Sequence, residues 1–339
     1  MKRARCDSAM VIPMTPQREK IVGDQGFILI AILWLITLLA LLSAGFSAAT
    51  RSYLRHTANS IQSAKAEAVA DAGVQLVALT LAVEGQSSRR WPVDGTERAC
   101  AIDDHSAVIL RIQDASGLVS INLADERLLQ ALFIGLGATR EAASRATDLI
   151  IDYRDDDNDS RPNGAEQKAY DAAGRPQGPK NAPFDTIEEL NQVLGLDPAM
   201  IAAATPYITV HSETAGLDPR VTLPSLTALL SRGFPQLLAK KIGLFTDDIL
   251  YGFATSQFDA SLPPVDLRNL PADFASQSLQ KVFHVTSQGH QETGADFVRE
   301  TVIDLKSLSA LPVFKMWRRG VLHTSKLGGK IQSSGLAPC

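Results

Sequence analysis

The densest chemistry in the chain lies in Asp155-Asp-Asp-Asn-Asp159-Ser-Arg-Pro-Asn-Gly-Ala-Glu166, which packs five carboxylates into twelve residues. Counted from Asp155, acids stand at positions 1, 3, 5 and 12 (Asp155, Asp157, Asp159 and Glu166), with Asn163 at 9 and the Arg161 carbonyl at 7. That is the ligand spacing of an EF-hand loop, and hard oxygen donors at this density suit calcium. Carboxylates held so close repel one another unless a cation neutralises them. We expect a structural calcium ion held by Asp155, Asp157, Asp159 and Glu166, with Asp152 or Asp156 in reserve. The loop departs from an EF-hand in having Ser160 at the glycine position and Pro162 at the apolar one, so its turn need not follow that geometry. The plainer alternative is a solvated acidic loop.

Little else in the chain suggests catalysis. There is no G-x-S-x-G elbow, H-E-x-x-H, phosphate-binding loop or dinucleotide fingerprint. His56, His105, His211, His284, His290 and His323 are scattered, and His284 alternates with Val282 and Thr286 as a strand residue would. Trp317 is expected to pack on a sheet. No enzyme is expected. A net charge of −4 gives no overall attraction to nucleic acid. Cys100 and Cys339 would pair only in an oxidising compartment, and the Gly/Ser-rich tail before Cys339 argues against it.

The elements that must hold the acidic loop read as α+β. Ala107–Gln113 looks like a strand, and a turn at Asp114–Gly117 leads to a second strand at Leu118–Ile121, a plausible hairpin. Strand patterns return only at Val282–Thr286, Phe297–Ile303 and Val313–Trp317. Between them, helical patterns cover Glu126–Gly135, Arg140–Arg154, Ile187–Leu194, Pro198–Ala204, Leu223–Leu230 and Pro235–Ile242. Asp185 with Glu188 reads as a capping box. The expected fold is a small antiparallel sheet with a large helical domain inserted between its strands.

The N-terminal region supplies an address. Phe27 to Thr50 carries no charged side chain and is long enough to cross a hydrocarbon core of roughly 30 Å. Ahead of it, Lys2, Arg3, Arg5, Arg18 and Lys20 outnumber Asp7, Glu19 and Asp24 by 5 − 3 = 2, which keeps the N-terminus cytoplasmic. Apolar residues continue at helical spacing through Leu54, Ala58, Ile61, Ala64, Ala68, Ala72, Leu76, Leu79 and Val83, with no proline from Phe27 to Gln86. One helix, apolar and then amphipathic, is expected to pack on the sheet. Ser47-Ala48-Ala49 leaves an ordinary signal peptide as an alternative.

Gly26-Phe27, where the basic leader meets the apolar run, resembles the cleavage site of type IV prepilins. That resemblance implies cutting after Gly26 by prepilin peptidase and methylation of the new N-terminal Phe27. Pilin-class subunits usually carry glutamate at the fifth mature position, where this chain has Ala31. The absence, the helical insertion, Arg161-Pro-Asn-Gly-Ala-Glu166 and Gly178-Pro-Lys-Asn-Ala-Pro-Phe-Asp185 together resemble the minor pseudopilin K family of type II secretion systems. The resemblance implies a pilin-like fold, bound calcium and a place at the pseudopilus tip. It also implies partners among the I, J and H minor pseudopilins and at the inner-membrane secretion platform, with the soluble domain in the periplasm.

The expected division is a leader at 1–26, a membrane segment at 27–50, periplasmic helix and first strands at 51–122, and the inserted helical domain at 123–261. The remaining strands follow at 262–325, with a flexible tail at 326–339. Two other readings remain: a membrane-anchored helix-hairpin-helix DNA-binding protein, or a minor pilin of a type IV pilus. The candidate hairpin turns, Ile134-Gly-Leu-Gly137 and Leu194-Gly-Leu-Asp197, bring few cations to phosphate, so no nucleic-acid partner is expected.

Overall fold

A computed structural model describes residues 25–83, 91–233, 274–277, 281–305, 311–321 and 335–339. Helix α1 runs without interruption over Gln25–Ala82. Strands β1 (Asp94–Asp103) and β2 (Ser106–Asp114) follow, and then a short β3 (Val119–Ser120). Helices α2 (Glu126–Gly135), α3 (Arg140–Arg154), α4 (Gln167–Ala172) and α5 (Pro198–Ala204) lead to β4 (Ile208–Thr209) and α6 (Pro224–Gly233). The chain then returns as β5 (Val282–Gln291), β6 (Asp296–Asp304) and β7 (Val313–Arg319).

The five long strands form one sheet in the order β1-β2-β5-β6-β7, with all neighbours antiparallel. β2 pairs with β5 from Ser106↔Gln291 to Asp114↔Phe283, so the helical region is an insertion between two adjacent strands. The α+β architecture with a helical insertion is as expected from the patterning. Two compact units divide at Ser60 and Ile61. In the first, the large apolar residues from Phe27 to Leu42 are exposed, on a helix long and apolar enough to cross a membrane.

In the second unit, α1 covers the sheet with Ala66, Val69, Ala70, Val74, Val77, Ala78 and Leu81. Val69, Val74, Val77, Ala78 and Leu81 meet Val108, Leu110, Ile112, Phe283, Val285 and Ile303, while Ala66 and Ala70 pack with Phe297. This is not the face that the spacing suggested: Ile61, Leu79 and Val83 stay exposed. Small residues decide the packing. A Cβ at Gly289 would lie 2.3 Å from the Ala66 carbonyl oxygen and 2.6 Å from the Ala70 nitrogen, so β5 passes directly beneath the helix backbone. Arg299 of β6, only 7% exposed, fixes the same contact by donating to Asp71 Oδ1 at 2.7 Å and to Glu67 Oε1 at 2.5 Å.

Several expectations are corrected. Leu118–Ile121 does not form a hairpin with β2: Asp114 caps a 3₁₀ turn at Ala115–Gly117, and β3 pairs in parallel with β4. The partner of β2 on that side is β1, which patterning missed because its residues are half-exposed and charged. Ile187–Gln192 is a 3₁₀ segment, and its capping box joins Thr186 to Glu189, one residue on from the expected pair. Of the expected tail, residues 326–334 lie outside the described residues, but the pairing that the tail argued against is present. Cys339 is disulfide-bonded to Cys100, and its backbone pairs with Ala101 on the outer edge of β1. The leader 1–24 and the helix expected at Pro235–Ile242 lie outside the described residues.

Candidate metal centre

Helix α3 carries Asp148 and Asp152 one turn apart on one face, and Asp155 follows as its C-cap with extended backbone. Asp148 is 3% exposed and Asp152 fully buried, which is unusual for carboxylates. Both serve as anchors for the acidic loop. Asp148 Oδ2 accepts from the Asn163 backbone N–H at 3.1 Å and from its Nδ2 at 2.9 Å. Asp152 Oδ2 accepts from the Arg161 backbone N–H at 3.1 Å. Gly164 is required here, because a Cβ would lie 1.9 Å from Asp152 Oδ2. The Arg161 guanidinium bridges Glu126 at 2.9 Å and approaches Asp148 at 3.7 Å.

The fold-back brings Asp155, Asp157 and Glu166 together, with one oxygen from each within 4.8 Å of the others. Oxygens around a single calcium at about 2.3–2.6 Å lie no more than about 5 Å apart, so the spacing fits one ion. Asp159, the fourth expected ligand, is not in this group; it stays exposed, and its backbone N–H donates to Asp157 Oδ1 at 2.8 Å. Asp156 is exposed, and Asp152 is committed to Arg161. Gly26 and Phe27, the expected cleavage site, fall in the first turn of α1, with Phe27 exposed.

Orphaned oxygens are the test of fit. Glu166 stands at the N-cap of α4 yet caps nothing: both carboxylate oxygens are buried without a hydrogen-bond partner. Asp155 Oδ1 is buried and unpaired in the same way. Burial, followed by the charges of Asp152, Asp155, Asp157 and Asp159, pushes the Glu166 carboxyl up to about 7. Burial and then Asp157 raise Asp155. The C-terminal end of the α3 dipole adds to the negative potential. An unpaired buried carboxylate costs several kcal/mol unless it is protonated or coordinated, and a divalent cation would satisfy all three groups at once. The residues present fit a calcium ion.

Patterning missed Asn181. It adopts φ 50°, its backbone N–H donates to the Tyr153 carbonyl at 3.0 Å, and its Nδ2 donates to the Asp157 carbonyl at 3.2 Å. Sequence offered the Gly178-Pro-Lys-Asn turn as a signal, but a neutral amide beyond α4 has no place in a loop-spacing count. On the far side of this turn, Lys180 Nζ contacts Asp185 at 2.6 Å and Glu189 at 2.8 Å.

Residues 109–213, which include the whole acidic loop, match the family model described as "Type II secretion system (T2SS), protein K". A type II secretion system protein K from Klebsiella pneumoniae is 24% identical over 236 residues, covering 63% of this chain and 72% of that protein. The protein of the same description from Dickeya chrysanthemi is 29% identical over 153 residues, 45% of this chain and 38% of the relative. The one from Pectobacterium carotovorum is 30% identical over 129 residues, 36% of this chain and 39% of the relative. The fold resembles a chain in the crystal structure of the GspK-GspI-GspJ complex from enterotoxigenic Escherichia coli. The TM-score is 0.51 and the identity 17%, over 80% of this chain and 99% of that one. Residues 109–213 thus match a type II secretion system protein K domain, and the chain is similar in sequence to proteins of that description and in fold to a chain of that complex.

Proposed function

We propose that the chain is a minor pseudopilin of a type II secretion system that helps to assemble the pseudopilus, from its tip, and so supports export of folded proteins. The observation that carries this reading is α1. It is a single helix, exposed and apolar over Phe27–Leu42 and buried against a sheet from Ala66 to Leu81, joined to a domain of the protein K family. Prepilin peptidase would cut after Gly26, and the mature chain would begin at methylated Phe27 in the inner membrane. The basic leader keeps that end cytoplasmic. The Cys100–Cys339 disulfide supports an oxidising compartment for the domain, as the periplasm provides.

The chain would act by assembly, with no reaction of its own. The exposed stripe of Ile61, Ala64, Ala68, Ala72, Leu79 and Val83 on α1 is a small-residue surface on which another pseudopilin helix can lie close. Partners of the I and J types are supported by the composition of the complex holding the similar chain. The H type and the inner-membrane platform follow from the same role. A large insertion beside a filament-forming helix is a steric reason for a terminal position. Calcium at Asp155, Asp157 and Glu166 would be structural, fixing a loop otherwise too charged to order.

N-terminal sequencing of the chain expressed with a prepilin peptidase tests the reading. The expected first residue is N-methylated Phe27. A start at Ser47 or later would mark an ordinary secreted protein and contradict the assignment.

A further inference from the structure

The carboxylate group does not account for every orphaned oxygen beside the loop. The Asn181 amide reaches the loop through Nδ2, which donates to the Asp157 carbonyl, while Oδ1 of the same amide is buried with no hydrogen-bond partner. Glu166, whose two oxygens are also unpartnered, is only 6% exposed, so the unsatisfied donors to a cation sit in a closed place. Three carboxylates fall short of the six to eight oxygens that calcium takes. A neutral amide oxygen is an ordinary calcium ligand that adds no repulsion.

We propose that Asn181 supplies a ligand from outside the acidic loop, so that the cation staples loop 155–166 to the 178–189 segment. This rests on the calcium reading above. The backbone is set for that role: the left-handed φ of 50° turns the chain at Asn181, and its N–H is tied to Tyr153 in the last turn of α3. Beyond the turn, Lys180 contacts Asp185 and Glu189, and Glu189 Oε1 accepts from the backbone N–H groups of Asp185 and Thr186 at 3.1 Å each. The 3₁₀ segment that follows carries Glu188, which pairs with Arg318 of β7; Arg318 in turn holds Glu300 of β6 at 2.9 Å. A ligand at Asn181 therefore connects the cation to the contact between the helical insertion and the sheet. Asn122 holds Phe184 by two hydrogen bonds that need no metal, so the cation-dependent part is the turn on one side of Phe184 and the ion pairs on the other.

The test uses the full chain in detergent, stripped with a chelator and titrated with calcium alone. Affinity is read by calorimetry and backbone order by hydrogen exchange. In the native chain, calcium is expected to slow exchange at least tenfold in both 155–166 and 178–189. Asn181→Gly keeps the left-handed backbone accessible while deleting the amide. It should weaken calcium about tenfold and confine protection to 155–166. Asn181→Asp, which retains an oxygen, should keep both effects and serves as the control for folding. Calcium binding that protects 155–166 alone in the native chain, or an Asn181→Gly chain that binds within twofold and still protects 178–189, overturns the staple and leaves the calcium reading standing. No binding by the native chain overturns both.

Discussion

Beneath α1 the chain buries Leu110, Phe283, Val285 and Ile303, and the buried cation Arg299 there meets two acids. At the end of α3 it buries Asp148, Asp152 and Glu166, with Asp155 half-buried beside them. The first region pairs its buried charge, leaves a neutral hydroxyl, Ser287 Oγ, without a partner, and gains from apolar burial at roughly 25 cal/mol per Å². The second satisfies Asp148 and Asp152 by backbone donors but leaves Glu166 with none. Stability in one place is built from close packing, and in the other it is conditional on a partner that the chain does not supply. Perturbing the two regions should therefore give different dependences on calcium and pH.

The largest effect is expected at Gly289. Any side chain there meets the backbone of Ala66 and Ala70, so Gly289→Val should cost about 3–5 kcal/mol by overpacking. Denaturant unfolding of the full chain would show the loss, equal with and without calcium. A calcium-dependent loss would erase the distinction between the regions. Next comes the disulfide. Cys100 and Cys339 are separated by 239 residues, and closing so long a loop restricts the unfolded chain. Cys100→Ser should lower stability by about 2–4 kcal/mol, again without regard to calcium.

Those two features were unequally legible in sequence. The period-two patterns of β5, β6 and β7 are strong because alternate residues point into a core. β1 was not, since as an edge strand it buries little beyond Cys100 and carries Asp94, Glu97, Arg98 and Asp103. Alternation also says nothing of partners. Val119 and Ser120 have strand character, yet a capped turn at Asp114 sends them to β4. The buried face of α1 was misjudged because an Ala-rich helix has nearly uniform hydropathy, and Gly73 and Gly289 chose the contact. In the loop, spacing located Asp155, Asp157 and Glu166, but Asp159 followed a template whose glycine turn this chain lacks. Asn181 needed the tertiary fold.

The third effect is confined to the loop and depends on pH. With calcium removed, Glu166 is raised from its ordinary 4.5 to about 7, so the folded state holds this proton more tightly than the unfolded state. Its contribution is fully present below pH 4.5 and is lost as pH rises towards 7. The calcium-free chain should thus lose roughly 2–3 kcal/mol between pH 4.5 and 7.5. Glu166→Gln should flatten that slope, and saturating calcium should remove it in the native chain. A melting series over pH, with and without chelator, checks both. The smallest effect is expected at Asp159. Asp159→Asn should change calcium affinity less than threefold, whereas Asp157→Ala should weaken it at least tenfold. Equal losses would restore Asp159 to the ligand set.

Calcium titration calorimetry on the chelator-treated full chain in buffers of different ionisation heat tests the conditional loop most directly. A carboxyl at about 7 is half protonated at pH 7 and must ionise to ligate. One calcium should bind with release of about half a proton at pH 7, falling towards none near pH 8.5. Absence of binding, or binding without proton release at pH 7, would contradict the assignment of Glu166 and the cation it is held for.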